Sequence, residues 1–237
     1  MDNILIVNDH RDAGVSYTPF FEDMGKVTNS ADSFLSSPRS FKLIVFTGGS
    51  DVNPELYKDT SPHDMCSYRA SRDEEEGAIF NLGNAYNIPM FGICRGLQFL
   101  NVMNGGKLIH HLNGHTCATH HVILSDHSTF AVNSLHHQAC ILPIEARLLA
   151  WSAIKMSETY FGDKDEEFSY GGPEVEAVYF PESKSAGVQW HPEAMREGER
   201  GRAWARNLVR DLIRLEPYGF RNLYYPHVPE VIYYEHV

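Results

Sequence analysis

Several things are scarce in this chain of 237 residues, and each scarcity excludes a class of protein. Cysteine is rare: Cys66, Cys94, Cys117 and Cys140 lie far apart and form no C-x-x-C pair, so neither a zinc knuckle nor a redox dithiol is indicated. No apolar run approaches the ~20 residues of a membrane-spanning helix. Positive charge is in deficit. Lys plus Arg is 20 against 31 Asp plus Glu, a formal charge of −11, and a nucleic-acid backbone needs the opposite, a basic face. The N-terminus has neither the basic start nor the longer apolar stretch of a secretory signal, so a cytoplasmic location is expected. In that reducing setting a disulfide framework is not expected. Repeats and low-complexity tracts are absent as well.

What is present fits an ordinary globular chain. The hydrophobic fraction of 43% argues against general disorder. A chain of this length buries roughly 70–75% of its unfolded surface, enough to fold without a metal or disulfide. Ile4 to Val7, Leu43 to Phe46 and Met90 to Ile93 are apolar throughout, the pattern of strands buried on both faces. Helices are predicted over Ser71 to Asn87, with Ser71 as N-cap and Ala78, Ile79, Leu82 and Ala85 at helical spacing, and over Leu97 to Met103, stopped by Gly105-Gly106. The alternation predicts an open, mostly parallel sheet with helices on its faces.

The second half is less regular. Strands are predicted at Ala131-Val132, Leu148 to Trp151, Val175 to Phe180 and Ser185 to Trp190. Phe161 to Gly172 reads as an exposed loop, and Arg200 to Leu215 as an amphipathic helix with Ala203, Leu208, Leu212 and Leu215 near one face. One domain is expected over 1–215. Beyond it, 216–237 is an aromatic tail in which Pro217, Pro226 and Pro229 oppose a long helix. Two readings of that tail stay open: packing onto its own domain, or contact with another protein chain.

The strongest chemical signal is Phe91-Gly92-Ile93-Cys94-Arg95-Gly96 at a strand–helix junction. A G-x-nucleophile-x-G turn holds the nucleophile in a strained position above the strand ends. The helix N-terminus favours thiolate over thiol and stabilises an oxyanion nearby. A thiolate needs a proton shuttle. Among 13 histidines, His191 stands out in Gly187-Val188-Gln189-Trp190-His191-Pro192-Glu193, where a strand delivers the imidazole and Glu193 follows as a candidate orienter.

FGICRG together with GVQWHPE resembles the class I glutamine amidotransferase-like superfamily. TGGSDVNPELY at 47–57, Arg72-Asp73-x-x-Glu76, GICRGLQFLNVMNGGKL at 92–108 and VNSLHHQA at 132–139 are similar to its gamma-glutamyl hydrolase-like branch, in particular the gamma-glutamyl-gamma-aminobutyrate hydrolases. The resemblance implies a flavodoxin-like open sheet, mostly parallel, with helices on both faces and a small antiparallel strand element. It implies Cys94 as nucleophile, His191 as general base and acid, and Glu193 as orienter, with the oxyanion held by the amides of Gly49 and Arg95. Gln98, His136 and His137 would line the substrate pocket. No cofactor and no metal are implied. The histidines at 110, 111, 115, 120 and 121 match no compact zinc spacing, Asp73 to Glu76 reads as a solvated helix start, and Arg72 with Glu76 as a simple i,i+4 pair.

The leading expectation is therefore a cysteine hydrolase of gamma-glutamyl amides that acts on a small molecule and has no nucleic-acid or membrane partner. The alternative is a glutaminase that hands ammonia to a partner synthetase, and the aromatic tail is the feature most compatible with such a partner or with a homo-oligomer. With about 45 residues after His191, an attached synthetase domain is not expected. A third reading is a binding protein that keeps the pocket without the chemistry.

Overall fold

A computed structural model describes residues 3–9, 16–59, 65–116 and 118–214. In the first half β1 (Asn3–Val7), α1 (Thr18–Phe21), β2 (Lys26–Thr28), α2 (Ala31–Ser36), β3 (Phe41–Phe46), α3 (Ala70–Ala85), β4 (Met90–Ile93) and α4 (Arg95–Met103) follow one another. The second half is strand-rich: β5 (Lys107–Ile109), β6 (His111–Leu112), β7 (Ala118–Leu124), β8 (Thr129–Ser134), β9 (Ala139–Ile141), β10 (Arg147–Ser152), β11 (Tyr160–Phe161), β12 (Glu167–Phe168), β13 (Val175–Phe180) and β14 (Ser185–Val188). The helix α5 (Arg200–Arg214) closes the described chain. The predicted tail from Glu216, and Cys117, lie outside the described residues.

One nine-stranded sheet organises these elements, in the order β2-β1-β3-β4-β14-β13-β10-β7-β8. The first five strands are parallel to their neighbours, and the order 2-1-3-4-5 among them is that of a flavodoxin-like sheet. From β14 onward the pairings are antiparallel. Two small antiparallel sheets, β12-β11-β6 and β5-β9, complete the expected α/β architecture.

The uniformly apolar strands are explained by cover on both sides. Ile4, Ile6, Leu43 and Val45 pack with Phe20 and Phe21 of α1 and with Ala205, Leu208 and Leu212 of α5. The alternate residues Leu5, Val7, Ile44 and Phe46 pack with Phe34 of α2, Ile79 and Phe80 of α3 and Leu97 and Leu100 of α4. Both faces are dry, so alternation of polar and apolar residues would leave polar groups without partners.

Some local expectations need correction. Helix α3 begins at Ala70 with Arg69 as N-cap and no side-chain cap, so Ser71 does not play that part. Its buried face is Arg72, Asp73, Glu76, Ile79, Phe80 and Gly83, while Ala78 and Ala85 are exposed. The helix stops at Ala85 because Asn87 turns left-handed (φ 56°) ahead of Ile88-Pro89. In α5, Ala203 faces solvent and Ala205 takes its expected place in the core. The stretch predicted as an exposed loop carries β11 and β12, which pair with each other and place Tyr160, Phe168 and Tyr170 against Ile109 and Leu112. Among the described residues no helix is long and apolar enough to cross a membrane.

Candidate active site

The site is assembled where β3, β4 and β14 end. Between β4 and α4 the backbone of Cys94 adopts φ 54° and ψ −112°, a left-handed region that side chains disfavour. The glycines on either side are required by space. A Cβ on Gly92 would stand 2.5 Å from the backbone of Gly96, and one on Gly96 would stand 2.1 Å from the carbonyl oxygen of Phe46. The Cys94 amide donates to the Val188 carbonyl (2.8 Å), while its own carbonyl accepts from Leu97 and Gln98 in the first turn of α4. The sulfur is therefore held at a helix N-terminus, 3.7 Å from the carbonyl oxygen of Leu135.

His191 follows β14 and is fixed through its backbone. Asn133 accepts from its N–H (3.0 Å) and donates to its carbonyl (2.9 Å). Its ring Nδ1 lies 2.7 Å from Glu193 Oε1, across the intervening Pro192. Burial by itself would lower the pKa of this imidazole, but the charge of Cys94, a hydrogen bond to Cys94 and the Glu193 carboxylate outweigh it and hold the value up at about 11. The three side chains expected from the sequence thus come together. Gly48 marks the meeting point: a Cβ there would lie 3.0 Å from His191 Cε1 and 3.6 Å from Cys94 Cβ.

A cavity of about 220 Å³ opens over the sulfur. Gly49 and Arg95 line it with Cys94, and so do Gln98, His136 and His137. Gly49 has φ 130°, open to glycine and strained for other residues. Gln98 spends its amide nitrogen within the protein, donating to the Gln138 carbonyl (3.2 Å) and Gln189 Oε1 (3.3 Å). His136 Nδ1 donates to the Gln138 carbonyl (2.8 Å). His137 Nε2 lies 3.1 Å from Asp51 Oδ1, and that hydrogen bond raises its pKa against the opposing effect of burial.

A family model described as Peptidase C26 matches residues 31–193, a span that holds the whole constellation. The chain belongs to the Peptidase C26 family. Among its relatives, the glutamine amidotransferase-like protein YvdE of Lactococcus lactis is 33% identical over 210 residues, covering 78% of this chain and 81% of the relative. Protein NtpR of Enterococcus hirae is 28% identical over 213 residues, covering 76% and 82%. Among solved structures, a GMP synthase component from Thermoplasma acidophilum superimposes with a TM-score of 0.59 at 19% identity, covering 94% of this chain and 97% of the other. A glutamine amidotransferase from Thermotoga maritima gives 0.53 at 17% identity, covering 94% and 88%. These likenesses place the Peptidase C26 chain in the class I glutamine amidotransferase-like superfamily and support cysteine-dependent hydrolase or amidotransferase chemistry.

Beneath the site of this Peptidase C26 chain lies a layer that sequence reasoning missed. Arg72 and Glu76 are more than an i,i+4 pair, and Asp73 and Glu76 are buried rather than solvated. Glu76 accepts from Arg72 Nε (2.8 Å), from Asn8 Nδ2 (2.9 Å) and from Arg95, while Asp73 accepts from Arg95 and from the Asn53 amide (3.0 Å). Arg72 also donates to the carbonyls of Thr47 and Gly48, each at 3.0 Å. Two guanidiniums and two carboxylates therefore tie the loop carrying Gly48 and Gly49 to the turn carrying Cys94 and Arg95. A signal for this was available, since 72, 76, 79, 80 and 83 share one helical face and that face includes apolar Ile79 and Phe80. Tyr17 was missed altogether. Its hydroxyl accepts from the Gly48 amide (3.1 Å), and burial, with Glu193 and Cys94 nearby, pushes the phenol's pKa up so that it stays neutral.

Proposed function

We propose that the chain hydrolyses gamma-glutamyl amides of small molecules through a thioester on Cys94. One observation carries this reading: Cys94, at a strained strand–helix turn, and the His191 imidazole, held by the Glu193 carboxylate at 2.7 Å, meet over Gly48. In the first step the Cys94 thiolate attacks the side-chain carbonyl carbon. The amides of Gly49 and Arg95 donate to the oxyanion that develops. Collapse breaks the C–N bond, His191 delivers its proton to the departing amine, and the acyl group remains as a thioester. Water then attacks that carbonyl while His191 accepts its proton. The C–S bond breaks, glutamate leaves, and the thiolate–imidazolium pair is restored.

The gamma-glutamyl preference is supported by the motifs at 47–57 and 132–139 and by the size of the cavity. About 220 Å³ is below the ~300–1,000 Å³ of sites for drug-sized ligands, which suits an acyl group no larger than a glutamyl side chain. Gln98, His136 and His137 are proposed as its wall, and a cytoplasmic small-molecule substrate is in keeping with a formal charge of −11. A second reading, ammonia supply to a partner synthetase, draws on the Thermoplasma neighbour, which is one component of a synthase.

The test is glutamate release from a panel of gamma-glutamyl compounds, including glutamine, by wild type and by Cys94→Ala. Turnover should fall to background in the variant, and a glutamyl adduct should be trapped at Cys94 by mass spectrometry. Wild-type rates in Cys94→Ala would end this mechanism. Cleavage of glutamine alone, and only with a synthetase added, would select the second reading.

A further inference from the structure

Packed behind His136 of the cavity wall is a nest of two buried imidazoles, His115 and His120, that the proposed hydrolysis does not use. His115, His120 and Glu176 each offer a ligand atom, and among the described residues these atoms lie within 4.8 Å of one another. His120 Nε2 is 3.0 Å, His115 Nδ1 3.6 Å and His136 Nε2 3.8 Å from the same oxygen, Glu176 Oε1. All four side chains are buried. They come from the segment before β7, from β7, from the turn after β8 and from β13.

The hydrogen bonds around the nest fix two of the rings. Glu174 accepts from the amides of Met156 and Ser157 and from the Tyr160 hydroxyl, so it is an acceptor toward His115 Nε2 at 3.0 Å, and that nitrogen carries the proton. His115 Nδ1 then presents a lone pair. Ser134 Oγ, 3.2 Å away, cannot donate to it, because its own proton goes to the His115 carbonyl (2.8 Å). In His136 the proton sits on Nδ1, which donates to the Gln138 carbonyl, so its Nε2 presents a lone pair too. These lone pairs face a carboxylate oxygen, and His136 Nε2, His120 Nδ1 and Glu176 Oε2 have no hydrogen-bond partner. Lone pairs converging on a carboxylate repel one another unless a cation sits among them.

We propose that His115, His120 and Glu176 bind a divalent metal ion of the zinc type beside the catalytic cavity, with His136 packed against His115 as a neighbour of the site. Two imidazoles and one carboxylate, with a water in the fourth place, suit zinc. Bonds of about 2.0–2.1 Å to a tetrahedral ion place neighbouring ligand atoms ~3.3 Å apart, and the two nitrogens lie 3.0 and 3.6 Å from Glu176 Oε1 and within 4.8 Å of each other. The Glu174 carboxylate on His115 is the outer partner that a metal-bound histidine needs. The ion would tie β7, the segment before it and β13 together, and through the His136 ring packed on His115 it would stiffen one wall of the cavity. The ligands are spread over 62 residues, from 115 to 176, which is why no compact spacing announced them.

The experiment uses the full chain freed of any histidine tag, stripped with chelator, dialysed against zinc and then against buffer, with metal measured by plasma mass spectrometry. Wild type and Cys94→Ser should each hold about one zinc per chain, and cobalt should give the intense visible bands of a tetrahedral ion. Glu174→Gln should weaken zinc affinity by ~10–100-fold, and His115→Ala/His120→Ala should retain less than roughly a tenth of a zinc per chain. Circular dichroism checks that the variants fold, and if the double variant does not, the cobalt spectrum of wild type decides. Folded wild type with no stoichiometric zinc and no tetrahedral cobalt bands would overturn the proposal and leave a proton as the cation of the nest. Zinc retained in a folded double variant, or lost in Cys94→Ser, would overturn it as well.

Discussion

At the scale of single residues, the site depends on places where a side chain would not fit. Gly48 is the sharpest case, because a methyl group there would press on the Tyr17 hydroxyl at 2.8 Å and on His191 Cε1 at 3.0 Å. Displacing a proton-transfer ring by even a fraction of its proper distance is costly, on the order of 10²-fold in rate for ~1 Å. Gly48→Ala should therefore fold normally and lose about two orders of magnitude in kcat for amide hydrolysis, with a smaller change in KM. A kcat equal to wild type would show that the ring has room to spare. Reactivity of the thiol offers a second check. Burial pushes the Cys66 thiol up to about 12, and it pushes Cys140 higher still. Cys94, held at a helix N-terminus beside an imidazolium, should thus alkylate far faster near neutral pH. Equal rates at the three thiols would favour a binding protein over an enzyme.

At the scale of elements, α3 is the part whose meaning changed between sequence and fold. Read linearly, Asp73-Glu74-Glu75-Glu76 is an acidic run at a helix start. In the fold Glu74 faces solvent while Asp73 and Glu76 turn inward to meet Arg72 and Arg95. Removing one member of a buried ion network leaves an uncompensated charge, at a cost of ~3–5 kcal/mol. Glu76→Gln should lower the unfolding free energy by about that amount in denaturant titration. It should also impair kcat more than KM, because Arg72 holds the carbonyls of Thr47 and Gly48 in place. A Glu76→Gln protein as stable as wild type would mean that the network contributes positioning and little else. Strands β3 and β4 and helix α4 were legible because each holds a short apolar run with glycine or proline close by. The inward-facing charges were not, since their partner Arg95 belongs to another element.

At the scale of the whole molecule, the His191 imidazole couples stability to pH. Its value in the folded chain is about 11 against an ordinary 6.5, so the folded form holds the proton more tightly than the unfolded form does. The resulting stabilisation is complete below about pH 6.5 and is lost progressively as pH rises toward 11. Denaturation midpoints measured across this window should fall with rising pH. Cys94→Ser should flatten that fall, because it removes the charge that raises the imidazole. A variant with the same slope as wild type would place the alkaline loss elsewhere.

The amino-acid sequence by itself determined the layered α/β plan, the strand–turn–helix around Cys94 and the pairing of His191 with Glu193. Each of these is set by residues near one another along the chain: apolar runs, flanking glycines, a proline between histidine and glutamate. Only the tertiary structure decided which charges are buried beneath the loop of Gly48 and Gly49 and the turn of Cys94 and Arg95, that Tyr17 meets Gly48, and that histidines at 115, 120 and 136 lie around Glu176. Those contacts join segments tens of residues apart, and their chemistry appears when the sheet brings the segments together and excludes water from between them.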